Sequence, residues 1–139
     1  TYPIETLPYV DAALADLQQN YRLILVTKGD LFDQERKLAA SGLADFFSAI
    51  EIVANKDAKT YARIFDSHTD GPEHTVMVGN SLRSDILPAL EAGAFAVYVP
   101  HDLTWSYEHA EEPANEARYA RIPHLGELHA AIAAFEQMR

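Results

Sequence analysis

Four short stretches of this 139-residue sequence carry side chains able to do chemistry. They are Thr27-Lys28-Gly29-Asp30, the lysines Lys56 and Lys59, the turn Gly79-Asn80-Ser81 followed by Asp85, and His101-Asp102. A hydroxyl, an ammonium and a carboxylate converging on one edge suit a phosphate group. Hydroxyls and backbone amides, as offered by Thr27, Lys28, Gly29 and Ser81, bind phosphoryl oxygens. An ammonium neutralises charge, and a carboxylate such as Asp85 can hold Mg²⁺.

Such groups meet only if each stretch lies just past the C-terminal end of a strand in a parallel sheet. The hydrophobic pattern supplies these strands. Residues 21–27, 49–53, 75–78 and 95–99 are short apolar runs of the kind buried in a sheet, the last stopped by Pro100. A further short strand is expected at residues 119–122, after a long polar stretch over residues 101–118. Helices are expected between them. Residues 8–20 carry Val10, Ala13, Leu14 and Leu17 at helical spacing, with Pro8 where a missing N–H costs nothing. Residues 31–41 end at Gly42, a C-terminal capping residue. Residues 60–67 place Tyr61, Ile64 and Phe65 on one face, residues 85–92 end at Gly93, and a last helix covers residues 125–138. Strands alternating with helices through short turns give an α/β fold, a doubly wound parallel sheet covered on both faces. No repeat, low-complexity tract or linker divides the sequence, so one domain over residues 1–139 is expected.

Composition narrows the partners. The formal net charge is -10, which gives no electrostatic support for nucleic acid or an anionic membrane surface. A small phosphorylated substrate remains compatible, because a lysine, a metal ion and backbone amides make a pocket locally positive. There are no cysteines, which excludes disulfides, thiolate metal sites and cysteine nucleophiles, and fits a cytoplasmic protein. The six histidines lack the spacing of a zinc site. Nothing in the residues speaks to oligomeric state.

The ordered set resembles the haloacid dehalogenase superfamily. Leu23-Ile24-Leu25-Val26-Thr27, then Lys28-Gly29-Asp30, is similar to that family's second motif, an apolar strand ending in Thr or Ser. Gly79-Asn80-Ser81-Leu82-Arg83-Ser84-Asp85, followed by a helix to Gly93 and a strand, is similar to the fourth. The resemblance runs from Tyr2 to Val99 and implies a three-layer α/β/α sandwich. It also implies Mg²⁺-dependent hydrolysis of a phosphate monoester through an aspartyl-phosphate. Under it Thr27 hydrogen-bonds the transferring phosphoryl group, a lysine neutralises nucleophile and phosphate, Asp85 binds Mg²⁺, and Ser81 helps order the metal's surroundings. Either Lys56 or Lys59 can be that lysine; Lys56 is preferred because it lies nearer the strand end.

Two departures stand out. Asn80 occupies a position where the family commonly has aspartate, so its amide oxygen would coordinate Mg²⁺ without charge. The first motif, an Asp-x-Asp pair whose first carboxylate is the nucleophile, occurs nowhere in the 139 residues. A sequence starting downstream of that strand and of the cap domain is the expected reason. Such a piece would lack the chemistry alone and would leave strand edges unpaired. Alternatives are dehalogenation of a 2-haloacid on the same scaffold, a non-catalytic regulatory domain, and a nucleotide-binding doubly wound fold. The last lacks any glycine-rich phosphate loop.

Taken singly, each residue has a plainer explanation. Thr27 suits a strand as a β-branched residue, Asp85 suits a helix start, the lysines suit solvent, and Asn80-Ser81 suits a turn. Their order at successive strand ends is what argues for a site. His101 reads as a solvated loop histidine, Trp105 and Tyr107 as pocket or sheet cover, and Leu31, Phe32, Phe46 and Phe47 as core.

Overall fold

A computed structural model describes residues 10–100 and 111–138. His101, Trp105 and Tyr107 lie outside the described residues. The chain forms two compact units, Thr1–Asn55 and Lys56–Arg139.

The first unit contains α1 (Val10–Gln18), β1 (Ile24–Lys28), α2 (Leu31–Ser41) and β2 (Ala49–Val53), with a 3₁₀ turn at Ala44–Phe46. β1 and β2 run parallel, Ile24 opposite Ala49 and Lys28 opposite Val53. The helix α2 has the limits its pattern predicts. Asp30 caps its start by accepting the Asp33 N–H at 3.1 Å, and Gly42 ends it at φ 74°, a conformation costly for residues with a Cβ. Leu17, Leu38, Leu43 and Val53 form the buried set of this unit. Leu31 and Phe32 do not join it: they are 51% and 79% exposed, contrary to their expected place in a core, because the Asp30 cap puts them on the outer side of the first turn. Phe46 and Phe47 are half-buried.

The second unit contains α3 (Ala58–His68), β3 (Val76–Gly79), α4 (Leu87–Glu91), β4 (Phe95–Tyr98), β5 (Tyr119–Arg121) and α5 (Leu128–Glu136). Its sheet has the order β3-β4-β5, all parallel. The central strand β4 is buried at every position. Phe135 of α5 packs on Phe95 with ring centroids 4.9 Å apart. Burying each such aliphatic or aromatic side chain contributes about 1.5–3 kcal/mol, which makes this sheet a firm platform. Tyr61, Ile64 and Phe65 are the buried face of α3, as their spacing predicts. Arg118 donates to the carbonyls of Leu90 (3.3 Å) in α4 and Ala94 (3.2 Å) just before β4, tying the start of β5 to that connection.

The strands thus form two sheets, one in each unit, and every pairing is parallel. Among the described residues β1 pairs with β2 alone and β3 with β4 alone. The expected helix at residues 85–92 starts earlier, at Leu82, and its opening turn Leu82–Ile86 is a π-turn. No helix of the described residues is long and apolar enough to cross a membrane.

Candidate functional site

Within the first unit, the turn after β1 is built around one amide. Thr27 ends the strand, half-buried, and its hydroxyl donates to Gln34 Oε1 at 3.1 Å. Gln34 Nε2 donates to the Lys28 carbonyl at 3.3 Å. That carbonyl can only accept, so the amide must turn its nitrogen to Lys28 and its oxygen to Thr27. Gly29 has φ +140°, and a Cβ there would come 2.8 Å from Gln34 Nε2. Glycine is therefore favoured by the backbone, and a Cβ there would have to push the Gln34 amide aside. The Gly29 N–H donates to the Val53 carbonyl at 3.4 Å, tying the turn to β2. Lys28, Gly29 and Asp30 are exposed, so the turn's outer side faces solvent.

In the second unit a buried carboxylate is ringed by half-buried polar groups and the buried Tyr61. Asp85 is 5% exposed and is the single buried charged residue among those described. Its Oδ1 accepts Lys56 Nζ at 2.9 Å, and its Oδ2 accepts the Ser81 N–H at 3.3 Å. The Tyr61 hydroxyl lies 3.4 Å from Oδ1 but only 2.8 Å from the Ser84 carbonyl. A phenol has one hydrogen, and the nearer carbonyl takes it. Burial, then the Asp85 charge beside it, push the Tyr61 phenol far above its ordinary pKa, so it stays protonated.

The local sequence explains this placement. Gly79 ends β3, and a Cβ there would come 2.6 Å from Asp85 Cγ, so only glycine lets the carboxylate lie against the strand end. Ser81 caps the next turn by accepting the Ser84 N–H at 3.1 Å. The Ser81 carbonyl then accepts from both Asp85 N–H (2.9 Å) and Ile86 N–H (3.1 Å). The second bond spans five residues and widens the turn. Ile86 is fully buried while Asp85 is turned back toward Gly79 and Ser81. π-turns of this kind occur often at functional sites.

The structure therefore brings Lys56, Ser81 and Asp85 together, and sets Thr27, Lys28 and Gly29 around Gln34. Lys59 stands exposed on the first turn of α3, where Asp57 caps the helix by accepting the Thr60 N–H at 2.9 Å. Asn80 is half-buried between Gly79 and Ser81. Two residues escaped the sequence reading: Gln34, and Tyr61 in its polar role. For Tyr61 a signal existed, since a tyrosine on a buried helix face needs a partner for its hydroxyl. For Gln34 only its place four residues into a helix that follows a glycine turn could have suggested it.

Among the described residues no three His, Cys, Asp or Glu side chains converge as a metal cage. Mg²⁺ seldom needs one: it binds one or two carboxylates and keeps water. Asp85 offers about four lone-pair sites and spends two on Lys56 and Ser81, so hard oxygen donors remain on Asp85, with the Asn80 amide in the same turn five residues earlier. This donor set fits a magnesium ion.

Comparison with known proteins agrees with the architecture. A sequence model described as a haloacid dehalogenase-like hydrolase matches residues 3–93. The glyceraldehyde 3-phosphate phosphatase of Methanothermobacter thermautotrophicus is 34% identical over 109 residues, which is 73% of this chain and 47% of that protein. A haloacid dehalogenase-like hydrolase from Xanthomonas campestris superposes with a TM-score of 0.86 at 38% identity, covering 99% of this chain and 58% of that one. A HAD-hydrolase of Bacillus subtilis, solved bound to magnesium, gives a TM-score of 0.76 at 25% identity, covering 91% and 55%. The chain thus spans about half the length of each of these three proteins.

Proposed function

We propose hydrolysis of a small phosphate monoester, starting from the premise that this chain belongs to the haloacid dehalogenase-like hydrolases. The observation that carries the reading is the buried Asp85 carboxylate paired with the half-buried Lys56 at 2.9 Å, set against Gly79 at a strand's C-terminal end. Taking the Asp85 charge out of water costs several kcal/mol, and pairing it with the half-buried Lys56 seldom adds net stability, so the pair is better explained by chemistry than by folding. The phosphatase relative in Methanothermobacter supports a phosphorylated substrate over a halogenated one.

In this reading Asp85, with the Asn80 amide oxygen, would hold Mg²⁺, which when bound supplies positive charge to the phosphoryl oxygens. Lys56 rather than Lys59 neutralises charge at the reacting group, since Lys56 already faces a carboxylate. The Thr27 hydroxyl and the Lys28 backbone amide bind phosphoryl oxygens, Gly29 lets the turn take its shape while its own N–H stays on the Val53 carbonyl, and the Ser81 N–H keeps the carboxylate of Asp85 oriented. The attacking carboxylate lies outside these residues, in keeping with the half-length match to relatives. That carboxylate would displace the substrate's alcohol from phosphorus to give an aspartyl phosphate, and water would then hydrolyse this acyl phosphate, releasing inorganic phosphate and restoring the carboxylate. Residues 1–139 act as one core domain of that enzyme, in the cytoplasm, with no role for nucleic acid or membrane.

The test is Mg²⁺-dependent hydrolysis of an aryl phosphate by residues 1–139 and by the native-length protein. The native-length protein should be active and EDTA should abolish it, with residues 1–139 inert. A native-length protein inert with phosphates but active on 2-haloacids without metal would reverse the reading, and activity in residues 1–139 alone would refute the assignment of the nucleophile.

A further inference from the structure

The side chain of Gln34 sits in the first turn of α2, and helix side chains lean toward the helix N-terminus. That lean carries its amide back over the turn after β1, where it meets three successive residues. It takes the Thr27 hydroxyl hydrogen at 3.1 Å, holds the Lys28 carbonyl at 3.3 Å, and occupies the space a Cβ at Gly29 would need. Both of its polar atoms are spent within the turn, so it is arranged to shape the turn.

We infer that Gln34 is a positioning residue for phosphate capture by the Thr27–Gly29 turn, an inference that rests on the phosphohydrolase reading. Before phosphate arrives, the Gln34 oxygen is the neutral acceptor that fixes the Thr27 rotamer. A phosphoryl oxygen carries charge and is the stronger acceptor, so the hydroxyl hydrogen turns to it without the threonine moving. Meanwhile the bond to the Lys28 carbonyl keeps that oxygen turned toward α2 and away from the anion. Without Gln34, the turn must be ordered at the moment of binding, at an entropic cost.

The test is a double-mutant cycle read by calorimetric binding of inorganic phosphate to the native-length protein with Mg²⁺. Q34M keeps the volume and removes both hydrogen bonds, and T27V removes the hydroxyl and keeps the β-branch. Each single change should weaken phosphate binding roughly five- to tenfold. Because Gln34 acts partly through Thr27, the double variant should bind well above the product of the two losses. Q34A serves the same cycle if Q34M does not fold. Wild-type binding matched by Q34M, or losses that multiply fully, would overturn the role of Gln34 and leave the phosphohydrolase reading standing. No phosphate binding by the wild type would bring down that reading and this inference together.

Discussion

The turn after β1 and the turn after β3 both follow parallel strands, yet they hold their polar groups by different means. At Thr27 the partners are neutral, half-buried or exposed, and joined by one amide. At Asp85 a carboxylate with 7% of its side chain exposed faces a lysine with 23% exposed. Neutral bonds at a wet surface can be exchanged for others at small cost. A buried charge cannot be left alone, so Lys56, Tyr61, Ser81 and Gly79 are all committed to Asp85 or its turn. The first turn is held by neutral bonds that exchange cheaply and the second by a buried charge that needs its partners.

Substitutions should separate the two by stability. K56M should have the largest effect, about 3 kcal/mol in urea unfolding, because it strands the Asp85 charge. Adding D85L to K56M should restore part of that loss, since the stranded charge is then gone. Y61F should cost about 1 kcal/mol, as the Ser84 carbonyl loses its donor. Q34M should cost under about 1 kcal/mol while still weakening phosphate binding, which is the contrast in its sharpest form. A K56M protein as stable as wild type would erase the distinction.

The smallest effect concerns the α3 cap. The Thr60 N–H, first of its partners, holds the Asp57 carboxyl below its ordinary pKa. A depressed carboxyl contributes stability that is complete above its unfolded pKa and is lost as pH falls through the folded one. D57A should therefore lower the thermal midpoint slightly at neutral pH and not at all once the pH is below both values.

Much of this was legible in the sequence because it depends on local patterns. The helix at Leu31–Ser41 follows from Asp30, its apolar spacing and Gly42, and β2 from an apolar run. The positions of Thr27 at the end of β1 and of Asp85 in the turn after β3 were legible through the order of strands and turns along the chain. The π-turn was not, because it is decided by Asp85 and Ile86 sharing the Ser81 carbonyl, a choice set by packing in the second unit. Nor was the exposure of Phe32, since an apolar residue at the start of a helix is assigned inward unless the cap fixes the helix's rotation. The Gln34 bridge needed the actual φ of Gly29, which no spacing reveals.

The most direct test of the central claim is Mg²⁺-titrated hydrolysis of an aryl phosphate by native-length wild type and D85N. The substitution keeps size and removes charge. If Asp85 holds the metal, D85N should lose roughly 100-fold or more in kcat and need far more Mg²⁺ for what remains. Wild-type rates at wild-type Mg²⁺ concentrations in D85N would contradict the account.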